Sequence, residues 1–342
     1  MKRIVLLLCL FAVLPLLPAA DKDLRRPGPN RPDEPLAKLA SLEQGVQFLD
    51  AVALHWTQQQ KCATCHTNVP YLLARPALGG KTSTAERTVR TFFEQRVANW
   101  DRGGKGDKPR WDTEVVVTAA TLALHDAATT GKLHPLTRQA LDRMWTVQQK
   151  NGAWNWLKCN WPPFEHDDYY GAVFAALGVG AAPDDYAQSA SAKAGVARLR
   201  DYLRRQSSPT LHHSAWLLWV SLRLDGLLDQ AQQQKIVQTL LSVQRPDGGW
   251  SLPSLGDWKG YDGRDNDVNA PSDGYATGFV VHVLRQAGLP KDHAAIRKGA
   301  DWLRKNQRVS GRYFTRSLNR DTTHYISNAG SAFALLALKQ CE

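Results

Sequence analysis

One pattern recurs along this chain and constrains its fold more than any other feature. An amphipathic helix ends near a glutamine. A turn with glycine and an aromatic residue follows, and then a second helix rich in Ala, Val, Leu and Gly. The clearest copies are Gln149-Lys-Asn-Gly-Ala-Trp154 and Gln244-Arg-Pro-Asp-Gly-Gly-Trp250. Gln307-Arg-Val-Ser-Gly-Arg-Tyr313 repeats the pattern with Tyr in place of Trp. Weaker copies lie at Gln95 and Gln206. At Gln60 the turn is replaced by Lys-Cys-Ala-Thr-Cys-His.

This spacing predicts six first helices near 42–58, 83–98, 136–149, 191–206, 230–244 and 293–306. Their Arg, Lys and Gln residues mark solvent-facing sides. It predicts six second helices near 67–78, 112–129, 167–180, 211–226, 272–289 and 324–340. These are apolar on most sides, as buried helices are. No segment alternates as a strand does. Six hairpins of this kind close into an all-α (α/α)6 toroid, with the glutamine-to-aromatic turns gathered at one end. Asp112, Asp167, Asp273 and Asp321 fall at or near the starts of inner helices, where a carboxylate caps free N–H groups.

The N-terminus reads as a targeting segment. Lys2 and Arg3 precede an apolar run from Ile4 to Leu17, and Pro18-Ala19-Ala20 offers a cleavage site. The run is shorter than the ~20 residues that span a bilayer. The organisation expected is a signal peptide over 1–20, a flexible Pro- and Arg-rich leader over 21–40, and one toroid over 41–342. The mature chain is expected to be exported, periplasmic or secreted, with no transmembrane segment. The net charge of +11 is scattered without a basic stripe, which argues against nucleic acid as a partner.

The repeated Gln, Gly and Trp resemble the QW motif of the squalene cyclase and prenyltransferase toroids. Gln244-Arg-Pro-Asp-Gly-Gly-Trp250, Ser272-Asp-Gly-Tyr-Ala-Thr-Gly278 and Gly311-Arg-Tyr-Phe-Thr-Arg316 carry the resemblance. It implies a terpenoid cyclase-like fold in which Gln and Trp fasten outer helices to loops. It also implies an acid at Glu165-His166-Asp167-Asp168-Tyr169, with Asp167 in the position of the protonating residue and Asp168 beside it. This sequence has Glu and Tyr where the family pattern has Asp and Thr. The family's zinc spacing is absent.

Cys62-Ala-Thr-Cys65-His66 matches the attachment pattern for a c-type haem. Two thiols add to the porphyrin vinyl groups, and His66 reaches the iron. One covalent haem c is therefore expected at Cys62, Cys65 and His66. Candidates for the distal iron ligand are His166 and His324, with His212 and His213 also near the mouth. A Cys62–Cys65 disulfide and a zinc site completed by Cys159 are the rival readings. A Cys159–Cys341 disulfide is not expected, because an inner helix of ~24 Å separates them and a disulfide needs Cα atoms within ~7 Å.

These features lead to an expected haem redox protein. It would pass electrons to a partner protein or act on a hydrophobic ligand held in the barrel. A terpene cyclase using Asp167 and a non-catalytic binding module are the alternatives. A carbohydrate-processing toroid is a further one, for which Asp262, Asp265 and Asp267 would offer oxygen ligands to Ca²⁺. The EF-hand spacing fails, and an ordinary polar loop is the better reading of those three.

Overall fold

The computed structural model describes residues 26–100, 102, 111–260, 263–318 and 326–342. The expected signal segment, Asp262, Asp321 and His324 lie outside them. Among the described residues the outer helices are α1 (Leu42–Gln60), α3 (Thr84–Asn99), α5 (Pro135–Thr146), α7 (Lys193–Arg205), α9 (Gln230–Ser242) and α11 (Ala294–Asn306). The inner helices are α2 (Asn68–Ala74), α4 (Asp112–Thr129), α6 (Asp168–Ala181), α8 (Leu211–Ser221), α10 (Gly274–Gln286) and α12 (Ile326–Gln340).

The two helix types follow from their sequences. In α7, Val196, Leu199 and Leu203 share one buried stripe while Arg198, Arg204 and Arg205 face solvent. In α12 every residue from Ile326 to Ala337 is buried. Each inner helix packs on the next in chain order, and α12 returns to α2. The ring is therefore closed, and the protein is an all-helical α/α toroid. Glycine permits the tightest approach: a Cβ on Gly278 would collide with the Ala334 backbone across the α10–α12 interface.

The turns act as staples between neighbouring outer helices. Gln244 Nε2 donates to Gly248 O at 2.8 Å and to Ala295 O of α11 at 2.9 Å. Gln148 Nε2 donates to Gly152 O at 2.9 Å and to Gly195 O of α7 at 3.1 Å. Gln307 Nε2 donates to Ser41 O at 2.9 Å and to Gly311 O at 3.3 Å, while its Oε1 accepts from Ser41 N at 2.6 Å. This last staple joins the sixth hairpin to the first. The repeat glutamine of the third hairpin is thus Gln148. Gln149, expected in that role, is exposed.

The aligned glycines Gly152, Gly248 and Gly311 have φ of 99°, 92° and 88°, which favours glycine. Trp154 and Trp250 each donate an indole N–H to a carbonyl ten residues back, Met144 O and Leu240 O, at 2.9 and 2.7 Å.

The segment before α1, expected to be a leader, is held against the last hairpin. Buried Arg312 donates to Gly28 O, Pro29 O and Glu34, and Leu36 bridges to Arg308.

The centre of the ring is filled. Phe174, Trp216, Phe279 and Phe333 are each at most 2% exposed. Trp216 and Phe279 have ring centroids 5.1 Å apart, and Phe279 and Phe333 5.3 Å apart. Tyr170, His212 and Tyr275 continue this aromatic packing toward the mouth. A barrel cavity for a hydrophobic ligand was expected, but large side chains on α6, α8, α10 and α12 occupy that space.

Candidate functional site

Two regions at the mouth hold the residues of chemical interest. The first lies around the start of α6. Asp167 caps this helix, accepting from Tyr170 N at 2.9 Å, and its other oxygen lies 3.1 Å from His213 Nε2. The second ring nitrogen of His213 lies 2.7 Å from Thr210 Oγ1. Burial opposes the charge on Asp167, but the hydrogen bond and charge of His213 outweigh it and hold the carboxyl below its ordinary range. In place of the acid expected there, Asp167 serves as the cap of α6 and the partner of His213. Asp168 accepts from Trp156 N at 3.0 Å and pairs with Lys158 at 2.6 Å. Both residues thus organise the mouth.

The Cys-x-x-Cys-His segment precedes α2. Cys65 is 4% exposed and His66 3%. The His66 ring stands edge-on to Trp56 at 4.9 Å, and its Nδ1 lies 2.8 Å from Thr67 Oγ1. Asn68 ties the turn together, donating to Cys62 O at 3.0 Å and accepting from Thr64 N at 2.9 Å. Side chains this enclosed leave no room for a porphyrin without displacing their neighbours. The residues as placed do not fit the group, and no step is routed through it.

Burial, with nearby Glu165, pushes the Cys65 thiol well up, and burial raises that of Cys159. Metals take the thiolate. Cys65, Cys159 and Cys341 are free thiols. His166 is half-buried in the loop before α6. Among the described residues no three His, Cys, Asp or Glu side chains are grouped to hold a metal ion. That includes Asp265 and Asp267.

The second region is an open cleft of ≈ 1110 Å³ between the 253–273 segment and the 302–318 segment. Aromatic surface comes from Trp302 and Phe314, with Trp258 almost wholly buried in the wall, and planar polar groups from Arg264, Arg308, Arg316, Asn266, Asn306, Asp265 and Asp267. Asp273 forms part of the wall as the cap of α10. It accepts from Ala276 N at 2.9 Å, from Thr315 Oγ1 at 3.2 Å and from Leu252 N. Burial raises its pKa to about 6 against these donors. Asn266 donates to Pro253 O and Gly256 O, which folds the acidic loop onto the rim. Arg308 lies over the Phe314 ring at 5.8 Å.

The sequence reading had singled out Asp265 and Asp267, but none of the aromatic or arginine residues of this cleft as a site. The available signal was the density of Arg, Asn and aromatic residues just beyond the fifth and sixth turns.

The sequence matches no family model and no curated protein. Among solved structures, a polysaccharide lyase aligns with 88% of this chain and 97% of its own, at 11% identity and a TM-score of 0.33. A family 88 glycosyl hydrolase from Bacteroides vulgatus aligns with 88% of this chain and 99% of its own, at 9% identity and a TM-score of 0.31. The barrel is filled, Asp167 caps α6, and the Cys-x-x-Cys-His segment is enclosed. The expected haem redox function, with its keywords of iron and electron transfer, and the terpene cyclase set beside it give way to a site at the cleft.

Proposed function

We propose that this toroid is a carbohydrate-active protein whose site is the cleft between the 253–273 and 302–318 segments. The observation that carries the proposal is the mixture on its walls. Sugar rings present an apolar C–H face, which aromatic rings cover. They also present a rim of hydroxyls, which planar Arg, Asn and Asp side chains bind in pairs. Trp302 and Phe314 supply the first kind of surface; Arg264, Arg316, Asn306 and Asp267 supply the second. Both signs of charge are present, so hydroxyl-rich chains with or without carboxylates suit the cleft. The apolar run at residues 4–17, with Lys2 and Arg3 before it, supports action outside the cytoplasm, where polysaccharides are met.

Calorimetric titration with a cello-oligosaccharide and with an oligogalacturonide tests the proposal. The same mixtures are followed for new reducing ends and for the ultraviolet absorbance of an unsaturated uronate. Binding of at least one probe is expected, weakened by Arg264→Gln and by Arg316→Gln. Absence of binding and turnover with both probes, or binding indifferent to both substitutions, contradicts it.

A further inference from the structure

The three best-formed turns place equivalent residues three positions after the repeat glutamine: Asn151, Asp247 and Ser310. In each, the side chain accepts from the backbone two residues on. Asn151 Oδ1 takes Ala153 N at 3.0 Å, Asp247 Oδ1 takes Gly249 N at 3.0 Å, and Ser310 Oγ takes Arg312 N at 3.4 Å. This local bond shapes the turn. Asp247 does more. Its Oδ1 also accepts from Ser272 Oγ at 2.7 Å, and its Oδ2 accepts from the indole N–H of Trp302 at 3.1 Å. Ser272 and Trp302 both line the cleft and come from different segments.

From this geometry we infer that Asp247 is a positioning residue that fixes the Trp302 ring as a stacking face for a sugar. The inference rests on the oligosaccharide reading of the cleft. A tryptophan on an outer helix turns about two side-chain bonds. A ring that must be frozen by the ligand binds less tightly than one already set. The carboxylate supplies that constraint through the one polar atom of the indole. Asn306, a turn later on α11, donates to Trp302 O at 2.8 Å and holds the helix end beneath it.

The third hairpin indicates how to separate this role from turn formation. Asn151 shows that asparagine makes the same local bond. Asp247→Asn therefore keeps an acceptor for Gly249 N. Its amide N–H₂ then faces the Trp302 N–H, donor against donor, and the ring is released. Trp302→Phe keeps an aromatic face without the N–H.

Calorimetric titrations with the oligogalacturonide and the cello-oligosaccharide are made on wild type, each single variant and the double variant. Asp247→Asn is expected to weaken binding about three- to tenfold, with the urea midpoint unchanged. Trp302→Ala is expected to weaken it more than about tenfold. In the Trp302→Phe background, Asp247→Asn is expected to add nothing, since the bond it breaks is already gone. Unchanged affinity in Asp247→Asn overturns the inference, as does an equal loss with Phe at position 302. A wild type that binds neither probe overturns the cleft reading and this inference with it. That result is distinguishable because it needs no variant.

Discussion

Removing the staple that closes the ring gives the sharpest test of the fold's energetics. Gln307 is 1% exposed and its side chain makes three hydrogen bonds, two of them to Ser41 on the opposite side of the chain-end junction. Gln307→Ala deletes all three and leaves Ser41 N, Ser41 O and Gly311 O without these partners. A neutral bond contributes about 1 kcal/mol net, and an orphaned buried group costs more. Ser41 is half-buried, so water relieves part of the loss. The expected destabilisation is about 2–3 kcal/mol. It should appear as a lower urea midpoint by circular dichroism with an unchanged slope. Gln307→Glu should do no better than alanine. It keeps an acceptor for Ser41 N but turns a carboxylate oxygen toward two carbonyls. A midpoint within about 0.5 kcal/mol of wild type, the scatter of surface changes, would refute the view that this residue locks the ring.

Further predictions follow from the same structure. Gln148→Ala should cost about 1–2 kcal/mol and Gln149→Ala almost nothing, read from paired urea melts. Gly152→Ala combines φ of 99° with a collision against the Arg198 carbonyl and should cost more than about 2 kcal/mol. Gly131→Ala, at φ 64° with open space around it, should cost about 1 kcal/mol. Burial raises the Glu165 carboxyl from 4.5 to about 7. The folded state therefore binds this proton more tightly than the unfolded one. The resulting penalty is absent below the unfolded value and complete above the folded one. Glu165→Gln should thus be more stable than wild type near pH 8, by at most roughly 3 kcal/mol, with the gap closing by about pH 4. Asp167 behaves in the opposite sense because His213 lowers its pKa. The penalty of Asp167→Asn should be full at neutral pH and fade as acid titrates the wild-type carboxylate. Intact mass of the protein purified from cells with c-type haem maturation machinery should show no added porphyrin on Cys62 or Cys65; a gain of one haem would overturn the account given of that segment.

The ring of hairpins was readable because helix periodicity and turn chemistry are local. The predicted helices fall close to the observed ones, as with 112–129 for α4 and 230–244 for Gln230–Ser242. The misplaced glutamine at 149 was avoidable. Gln244 to Gly248 and Gln307 to Gly311 share a spacing of four that selects Gln148 before Gly152. The Cys-x-x-Cys-His motif misled because five residues carry no information on enclosure, which Trp56, Thr67 and Asn68 decide. That the barrel centre is filled depends on rings from four inner helices meeting, which no single segment reveals. The cleft was hidden for a similar reason. Its walls come from the segment before α10 and from the end of α11 with the segment after it, and the residue that orders Trp302 lies 55 positions away.

A crystal structure of the protein soaked in an oligogalacturonide or a cello-oligosaccharide tests the central claim most directly. The account predicts sugar density in the cleft, one ring lying flat on Trp302 with hydroxyls or carboxylates reaching Arg264 or Arg316. Density confined to another surface, or a porphyrin beside His66, would contradict it.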